Sequence, residues 1–159
     1  MSTLVLGLGN LLMGDDALGC RAVAELEKRY RFAPSVCLLD GGTLGLDLLP
    51  WLEGRSRLLL IDALQMDAKP GALFRLQGED VPRAFAHKLS VHQMGLQDLL
   101  AIAELRGHLP PQLVVWGVQA AVIEMGMELS SAVAAAFEPL LSNVVHELIG
   151  WGVDVQQAA

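Results

Sequence analysis

Two acidic residues follow a glycine loop near the start of the chain. The apolar segment Thr3–Leu8 runs into Gly7-Leu8-Gly9, which begins like the dinucleotide-binding fingerprint GxGxxG, but the third glycine is replaced by Leu12. Asp15 and Asp16 then stand where the next helix is expected to begin. A carboxylate at that position repels the pyrophosphate that such a loop would otherwise bind. The loop is therefore predicted to bind a cation or a metal ion.

Further candidates follow the later strands of the predicted fold. Asp40 and Asp62 each end an apolar segment, and His87 and His92 precede a later helix. In a parallel sheet the active crevice lies outside the carboxyl ends of the strands, so Asp16 and Asp62 face each other if the first and third strands are neighbours. Two adjacent carboxylates need a cation, a shared proton, or both. A nearby imidazole favours Zn, Ni or Fe over Mg or Ca.

Each of these residues also has a structural interpretation. Asp15 or Asp16 could cap the first helix, and Asp40 could accept hydrogen bonds from the two following glycine amides. His92 could cap a helix or lie on the surface, and His87 flanks a turn and is expected to be solvated. The structural alternative is weakest for Asp62, because an unpaired charge at the inner end of a buried strand is costly.

Other catalytic motifs are missing from the sequence. It contains no GxSxG elbow and no GxxxxGK[ST] loop. His146 and Glu147 begin like HExxH, but the fifth residue is Gly150, which excludes that zinc motif. Cys20 and Cys37 have no CxxC spacing and fall inside predicted elements, so we interpret them as buried thiols in a reducing cytoplasm.

Strands and helices are predicted to alternate along the chain. The turn at Lys69-Pro70-Gly71 leaves no room for a crossover helix, so the strand after it is predicted to return antiparallel. The fold class is therefore an α/β three-layer αβα sandwich, with a five-stranded, mostly parallel twisted sheet and one antiparallel strand. The predicted strands are 3–8, 36–40, 58–62, 72–76 and 113–118, and the main helices lie near 16–30, 41–52, 96–105 and 130–148.

Composition limits the size of the fold and the kind of partner. The 159 residues are 53% hydrophobic and 18% charged, which predicts one domain over 1–152, with 153–159 as a flexible tail. With a net charge of −7 and 11 Lys plus Arg, nucleic acid is not expected as a partner. No uninterrupted apolar run reaches the roughly 18 residues of a membrane helix. We expect a cytoplasmic monomer.

Four motifs together resemble the hydrogenase maturation endopeptidases. They are LGLGNLLMGDDALG at 6–19, LDGGT at 39–43, LIDA at 60–63 and SVHQMGL at 90–96. The GxGN loop with an acidic pair is moderately specific alone, and all four in this order are highly specific. Members of that family remove the C-terminal peptide of a [NiFe]-hydrogenase large-subunit precursor after nickel insertion.

The resemblance implies roles for individual residues. Asp16, Asp62 and His92 correspond to the metal ligands, and Asp40 to an aspartate linked to substrate recognition or cleavage. Many relatives carry Glu where this chain has Asp16. The implied metal is Ni²⁺ supplied by the substrate, although Zn²⁺ or Cd²⁺ could occupy the same site, and the implied partner is the [NiFe]-hydrogenase large-subunit precursor.

Two other functions are weighed against this interpretation. A dinucleotide-binding enzyme would use Asp40 to hold a ribose, but Leu12 and the Asp15-Asp16 charge oppose it. A non-catalytic nickel-binding maturation chaperone would use the same metal ligands without cleaving a peptide. Only an assay on nickel-loaded large subunit separates that chaperone from the endopeptidase.

Overall fold

We analysed the protein as a computed structural model, which describes residues 2–42, 45–84, 91–121 and 123–158. For residues 83–84 and 91–96 only the backbone is described. His87 therefore lies outside the described residues, and of His92 only the backbone position is known.

Five strands form one sheet, which confirms the predicted α/β class. These strands are β1 at Thr3–Leu8, β3 at Val36–Gly42, β4 at Arg57–Leu64, β5 at Leu73–Gln77 and β6 at Gln112–Gln119. The strand order is β3-β1-β4-β6-β5. All neighbouring strands are parallel except β5 and β6, which run antiparallel as the turn at residues 69–71 predicted.

Helices cover both faces of the sheet. The helices are α1 at Leu18–Arg29, α2 at Leu49–Leu52, α3 at Asp80–Ala84, α4 at Val91–Leu105 and α5 at Ser131–Gly150. A 3-10 turn at Gly14–Ala17 precedes α1, and a second one at Gly45–Leu48 precedes α2. The longest of these helices, α5, begins after Ser130, whose hydroxyl accepts a hydrogen bond from the Val133 amide.

The hydrophobic core is divided by the sheet into two layers. Alternate residues of β4 point to opposite faces, so Leu59 packs with the residues of α1 and α5 while Leu60 packs with those of α2 and α4. Residues 58–61 are all fully buried, as expected for the covered centre of a parallel sheet. The sheet therefore holds the ends of β1, β3 and β4 on a rigid base.

Gly19 lets α1 approach the sheet very closely. A Cβ atom at this position would lie 2.2 Å from the carbonyl oxygen of Ile61 and 2.4 Å from that of Leu8. Only a residue without a side chain can therefore pack the first turn of α1 against the carboxyl ends of β1 and β4. This contact fixes the position of the acidic residues just before α1.

A second, two-stranded sheet was not predicted. Tyr30–Phe32 forms β2 and pairs antiparallel with β7 at Val155–Gln157. The sequence predicts a flexible tail after Val153, whereas residues 155–157 of this segment form a strand. Three residues are too short for a recognisable period-2 pattern, and the partner strands are more than 120 residues apart in sequence.

The α5 helix is long and apolar enough to span a membrane by length and composition alone. Its buried residues, however, include Val133, Leu141 and Val144, which belong to the core layer shared with α1 and the sheet. Within this fold α5 is a core helix of the α/β domain.

Candidate active site

The carboxyl ends of β1, β3 and β4 meet at one edge of the sheet. β1 lies between the other two strands, and Gly7 pairs with Asp40 on one side and with Ile61 on the other. The first and third predicted strands are therefore neighbours, as the sequence argument required. Since strands lie about 4.8 Å apart, Asp40 and Asp62 flank the end of β1 at nearly the same height. β4 continues two residues beyond Asp62, whereas the sequence had ended the strand there.

Asp16 is positioned by the glycine loop that follows β1. Gly9 has a φ of +127°, and a Cβ atom there would lie 1.7 Å from the carbonyl oxygen of Asp16. The Asn10 amide donates to Oδ2 of Asp16 at 3.2 Å. Asp16 is almost completely buried. The loop thus wraps around the Asp16 carboxylate, where a nucleotide-binding loop would present its amides to a phosphate. This arrangement opposes the dinucleotide alternative.

Asp62 is a buried acid inside an apolar strand. Its side chain is fully buried, and Oδ1 accepts a hydrogen bond from the Ala63 amide at 2.8 Å. A carboxylate in such surroundings needs compensating interactions, because the apolar interior solvates charge poorly.

Cys20 lies on the same cleft as Asp40. Its thiol donates to the Gly9 carbonyl at 3.1 Å. The pKa of this thiol is raised well above its usual range, first by burial and then by a hydrogen bond and charge from Asp40, with further contributions from the negative charges of Asp62 and Asp16. The negative charges of all three predicted acids therefore act on this thiol. The same pKa shift keeps Cys20 protonated, which makes it a poor nucleophile.

Cys20 was not predicted at this site. The sequence places the residue inside an element, which is correct, but from α1 it also lines the acidic cleft. The available signal was its spacing of four residues from Asp16, which puts both side chains on one side of a helical segment.

Asp40 is the accessible member of the group. It is exposed, and with Gly9, Asn10, Leu11 and Cys20 it lines an open cleft of about 240 Å³. Its Oδ1 also accepts a hydrogen bond from the Gly42 amide at 2.9 Å. The structure shows the bond from the Gly42 amide that the structural interpretation expected, and the second carboxylate oxygen is not used by that bond.

Asp15 has a different role from Asp16. It does not cap a helix. Its carboxylate accepts hydrogen bonds from the Ala121 amide at 2.8 Å, and from the amide and hydroxyl of Ser130 at 2.7 and 2.8 Å. Asp15 is fully buried and ties the loop before α5 to the acidic turn. Of the two adjacent acids, Asp15 therefore has a structural role, whereas Asp16 lies in the crevice.

The third predicted metal ligand is only partly located. His92 lies in the first turn of α4, and α4 packs against the 3-10 turn that follows β3. Among the side chains that the structure describes, no three His, Cys, Asp or Glu residues are arranged to hold a metal ion. The assignment of His92 as the third ligand remains a prediction, and its side chain lies outside that set.

Comparisons with known proteins agree with this architecture. The family model of hydrogenase maturation proteases matches residues 20–147. The chain is similar to the hydrogenase 2 maturation protease of Escherichia coli K12, at 39% identity over 155 residues, which cover 97% of this chain and 94% of the relative. It is also similar to the hydrogenase expression/formation protein HupD of Rhodobacter capsulatus, at 39% identity over 98% of this chain and 75% of the relative.

Solved structures are similar over nearly the whole length. The hydrogenase maturating endopeptidase HybD from Escherichia coli superposes with a TM-score of 0.94 and 39% identity, over 99% of this chain and 98% of that one. The [NiFe] hydrogenase maturation protease HybD from Thermococcus kodakarensis gives a TM-score of 0.74 and 30% identity, over 93% of this chain and 99% of that one.

Proposed function

Because the chain belongs to the family of hydrogenase maturation proteases and is an endopeptidase, we propose that it cleaves the C-terminal peptide from a [NiFe]-hydrogenase large-subunit precursor after nickel insertion. The supporting observation is that the adjacent carboxyl ends of β1, β3 and β4 carry Asp16, Asp40 and Asp62 at one edge of the sheet. We place this reaction in the cytoplasm, since both cysteines are free thiols.

Nickel enters the proposal as part of the substrate. The ion, carried by the precursor, binds to the carboxylates of Asp16 and Asp62 and to the imidazole of His92. Three protein ligands leave coordination positions for the precursor's own groups, as in catalytic metal sites. In the free protein the carboxylates of Asp16 and Asp62 are almost completely shielded from water. A divalent cation that binds to both of them relieves their mutual repulsion.

Cleavage then requires an activated water rather than a protein nucleophile. When bound, the nickel would orient the scissile peptide and, as a Lewis acid, would polarise the carbonyl group that the water attacks. A carboxylate accepts a proton as the water oxygen attacks the carbonyl carbon, and the proton passes to the leaving amine as the C–N bond breaks. Asp40 fits the base role best, because it is exposed in the cleft while Asp16 and Asp62 are buried. A precursor without nickel would not be positioned, so cleavage reports on completed metal insertion.

The test is cleavage of purified, nickel-loaded precursor followed by mass spectrometry. We expect the wild-type protein to release the C-terminal peptide, and Asp62→Asn to reduce the rate by roughly 100-fold or more, since one metal oxygen and its charge are lost. Asp154→Asn is the matched control, because Asp154 is exposed near β7 and far from the crevice. Cys20→Ser should retain cleavage, because the protonated thiol supplies no nucleophile.

The alternative function is a nickel-binding chaperone. It predicts that the wild-type protein binds the nickel-loaded precursor but never releases a peptide. A normal cleavage rate for Asp62→Asn, or an inactive Cys20→Ser that is correctly folded, would instead refute the metal-directed mechanism.

A further inference from the structure

An exposed apolar patch borders the acidic cleft. Of the eight large hydrophobic side chains that are exposed in the described part of the chain, four lie on two adjacent loops. These four residues, which we name the Leu-Met patch, are Leu11 (46% exposed), Leu12 (55%), Met125 (88%) and Met127 (59%). Exposed apolar groups concentrated at one place are typical of interaction sites.

The two loops of the patch are joined by backbone hydrogen bonds. The Gly126 amide donates to the Leu12 carbonyl at 2.8 Å, and the Gly14 amide donates to the Gly126 carbonyl at 2.8 Å. The patch therefore combines one loop that follows β1 with one that precedes α5, although the two are more than 110 residues apart in sequence.

Both ends of the second loop are also held in place. The buried Asp15 carboxylate binds the amide of Ala121 at one end and Ser130 at the other. The Arg21 guanidinium donates to the Met127 carbonyl. These bonds hold the backbone at residues 121, 127 and 130, while the methionine side chains project into solvent. Flexible thioether side chains on a fixed backbone are suited to packing against an apolar partner of irregular shape.

The patch is continuous with the proposed site. Leu11 lines the same cleft as Asp40 and Cys20, and Asp16 follows the first loop directly. A molecule whose reacting bond lies at Asp40 therefore lies beside Leu11, the member of the patch that lines the cleft.

The surrounding charge selects the kind of segment that fits. Glu124 and Glu128 immediately flank the two methionines, and both are exposed. With the exposed Asp40 nearby, the apolar surface has an acidic rim. Complementary charge steers association and selects partners, so the favoured segment is apolar at its centre and carries Lys or Arg at its ends.

We propose that the Leu-Met patch is the docking surface for an apolar, basic-flanked segment of the large-subunit precursor, outside the peptide bond that is cut. This inference rests on the proposed function for the identity of the partner. It assigns recognition to the patch and chemistry to the acidic cleft, so the two can be separated by experiment.

The test measures both binding and cleavage. Affinity for purified nickel-loaded precursor is determined by biolayer interferometry, and cleavage is followed at low and saturating precursor concentration. We expect Leu12→Gln/Met125→Gln to weaken binding and raise KM at least tenfold, while kcat stays within about twofold of wild type. Glu124→Lys/Glu128→Lys should also weaken binding, with most of the loss removed at high salt.

The matched control is Leu105→Gln at the end of α4, where an 87% exposed leucine lies outside both loops. It should bind and cleave like the wild type, and circular dichroism checks that every variant is folded. Unchanged affinity in the Leu12→Gln/Met125→Gln variant overturns the inference, as does a fall in kcat with no change in KM.

Other outcomes distinguish the two proposals. If the wild type binds the precursor through the patch but never cleaves it, docking is supported and the proposed protease function fails. If the patch instead joins two copies of this chain, the double variant abolishes self-association in sedimentation experiments and leaves precursor affinity unchanged, which overturns the inference.

Discussion

Replacing Gly19 with alanine should misplace the acidic site without touching any acidic residue. A Cβ atom at position 19 would meet the Ile61 carbonyl oxygen at 2.2 Å, the Leu8 carbonyl oxygen at 2.4 Å and the Leu8 amide nitrogen at 2.5 Å. All three atoms belong to the backbone of the central strands. None of them can move aside by a simple rotation, so α1 has to move instead.

The size of the effect follows from these distances. Ordinary van der Waals contact begins near 3.4 Å, which is about 1.2 Å more than the shortest distance available. Overpacking of this kind costs about 1–3 kcal/mol, which corresponds to a fall in Tm of roughly 2–12 °C for a domain of this size. A shift of about 1 Å in a catalytic group can cost roughly 100-fold in rate. Asp16 precedes α1 by two residues, so its distance from Asp62 changes with the helix.

Gly150→Ala provides the matched control. A Cβ atom there would meet nothing within 4 Å, and the residue ends the helical segment α5. We expect this variant to be neutral or up to about 1 kcal/mol more stable, because alanine favours helix over glycine. Calorimetry gives Tm, titration calorimetry with Ni²⁺ gives metal affinity, and the precursor assay gives the cleavage rate.

We expect Gly19→Ala to lower all three quantities and Gly150→Ala to lower none. A Gly19→Ala protein with wild-type Tm and wild-type cleavage would mean that α1 is not closely packed against β1 and β4. A lower Tm with normal nickel affinity and cleavage would mean that the position of α1 does not control the site.

Three further predictions concern metal and pH. Ni²⁺ affinity should fall as pH decreases through the ordinary imidazole range near 6.5, because His92 must be neutral to bind a metal; pH-independent affinity would remove it from the ligand set. Chelation with EDTA should leave the circular dichroism spectrum unchanged, because the core does not depend on the site; a large loss of helical signal would indicate a structural metal. Hydrogen bonds from Arg75 and then from Trp116 lower the pKa of Glu147, against the opposing effect of burial. These bonds therefore stabilise the folded protein above about pH 4.5, and their contribution to the free energy of unfolding is lost as pH falls through the lowered pKa. Glu147→Gln should accordingly cost roughly 1 kcal/mol near neutral pH, and its Tm difference from the wild type should shrink towards pH 3; a constant difference would contradict this explanation.

The central sheet and its acidic edge could be predicted because they depend on local patterns. Continuous apolar runs such as 58–61 identify buried parallel strands, and an acid after such a run must lie near an end of the sheet. The neighbouring carboxyl ends of the first and third strands then place Asp16 and Asp62 at one crevice, without any knowledge of side-chain positions.

Features that depend on contacts between distant segments were not predicted. The pairing of β2 with β7 joins two segments of three residues each, which carry no periodic signal. The separate role of Asp15 depends on Ala121 and Ser130, which no local rule connects with the glycine loop. The Leu-Met patch was missed for the same reason, since its two halves are ordinary loops when viewed separately.

The bond between Asp15 and Ser130 has a consequence for how the protein is made. It spans 115 residues, so the turn that carries Asp15 and Asp16 is fixed only when the chain has been synthesised as far as the start of its last helix. A nascent chain released from the ribosome as far as β4 already contains Asp16, Asp40 and Asp62, yet it lacks the segment that fixes the turn carrying Asp16. Contacts of such high sequence separation form late in folding. Protease activity should therefore be acquired only at the end of folding. Incomplete chains would contain the three acidic residues but would not cleave the precursor.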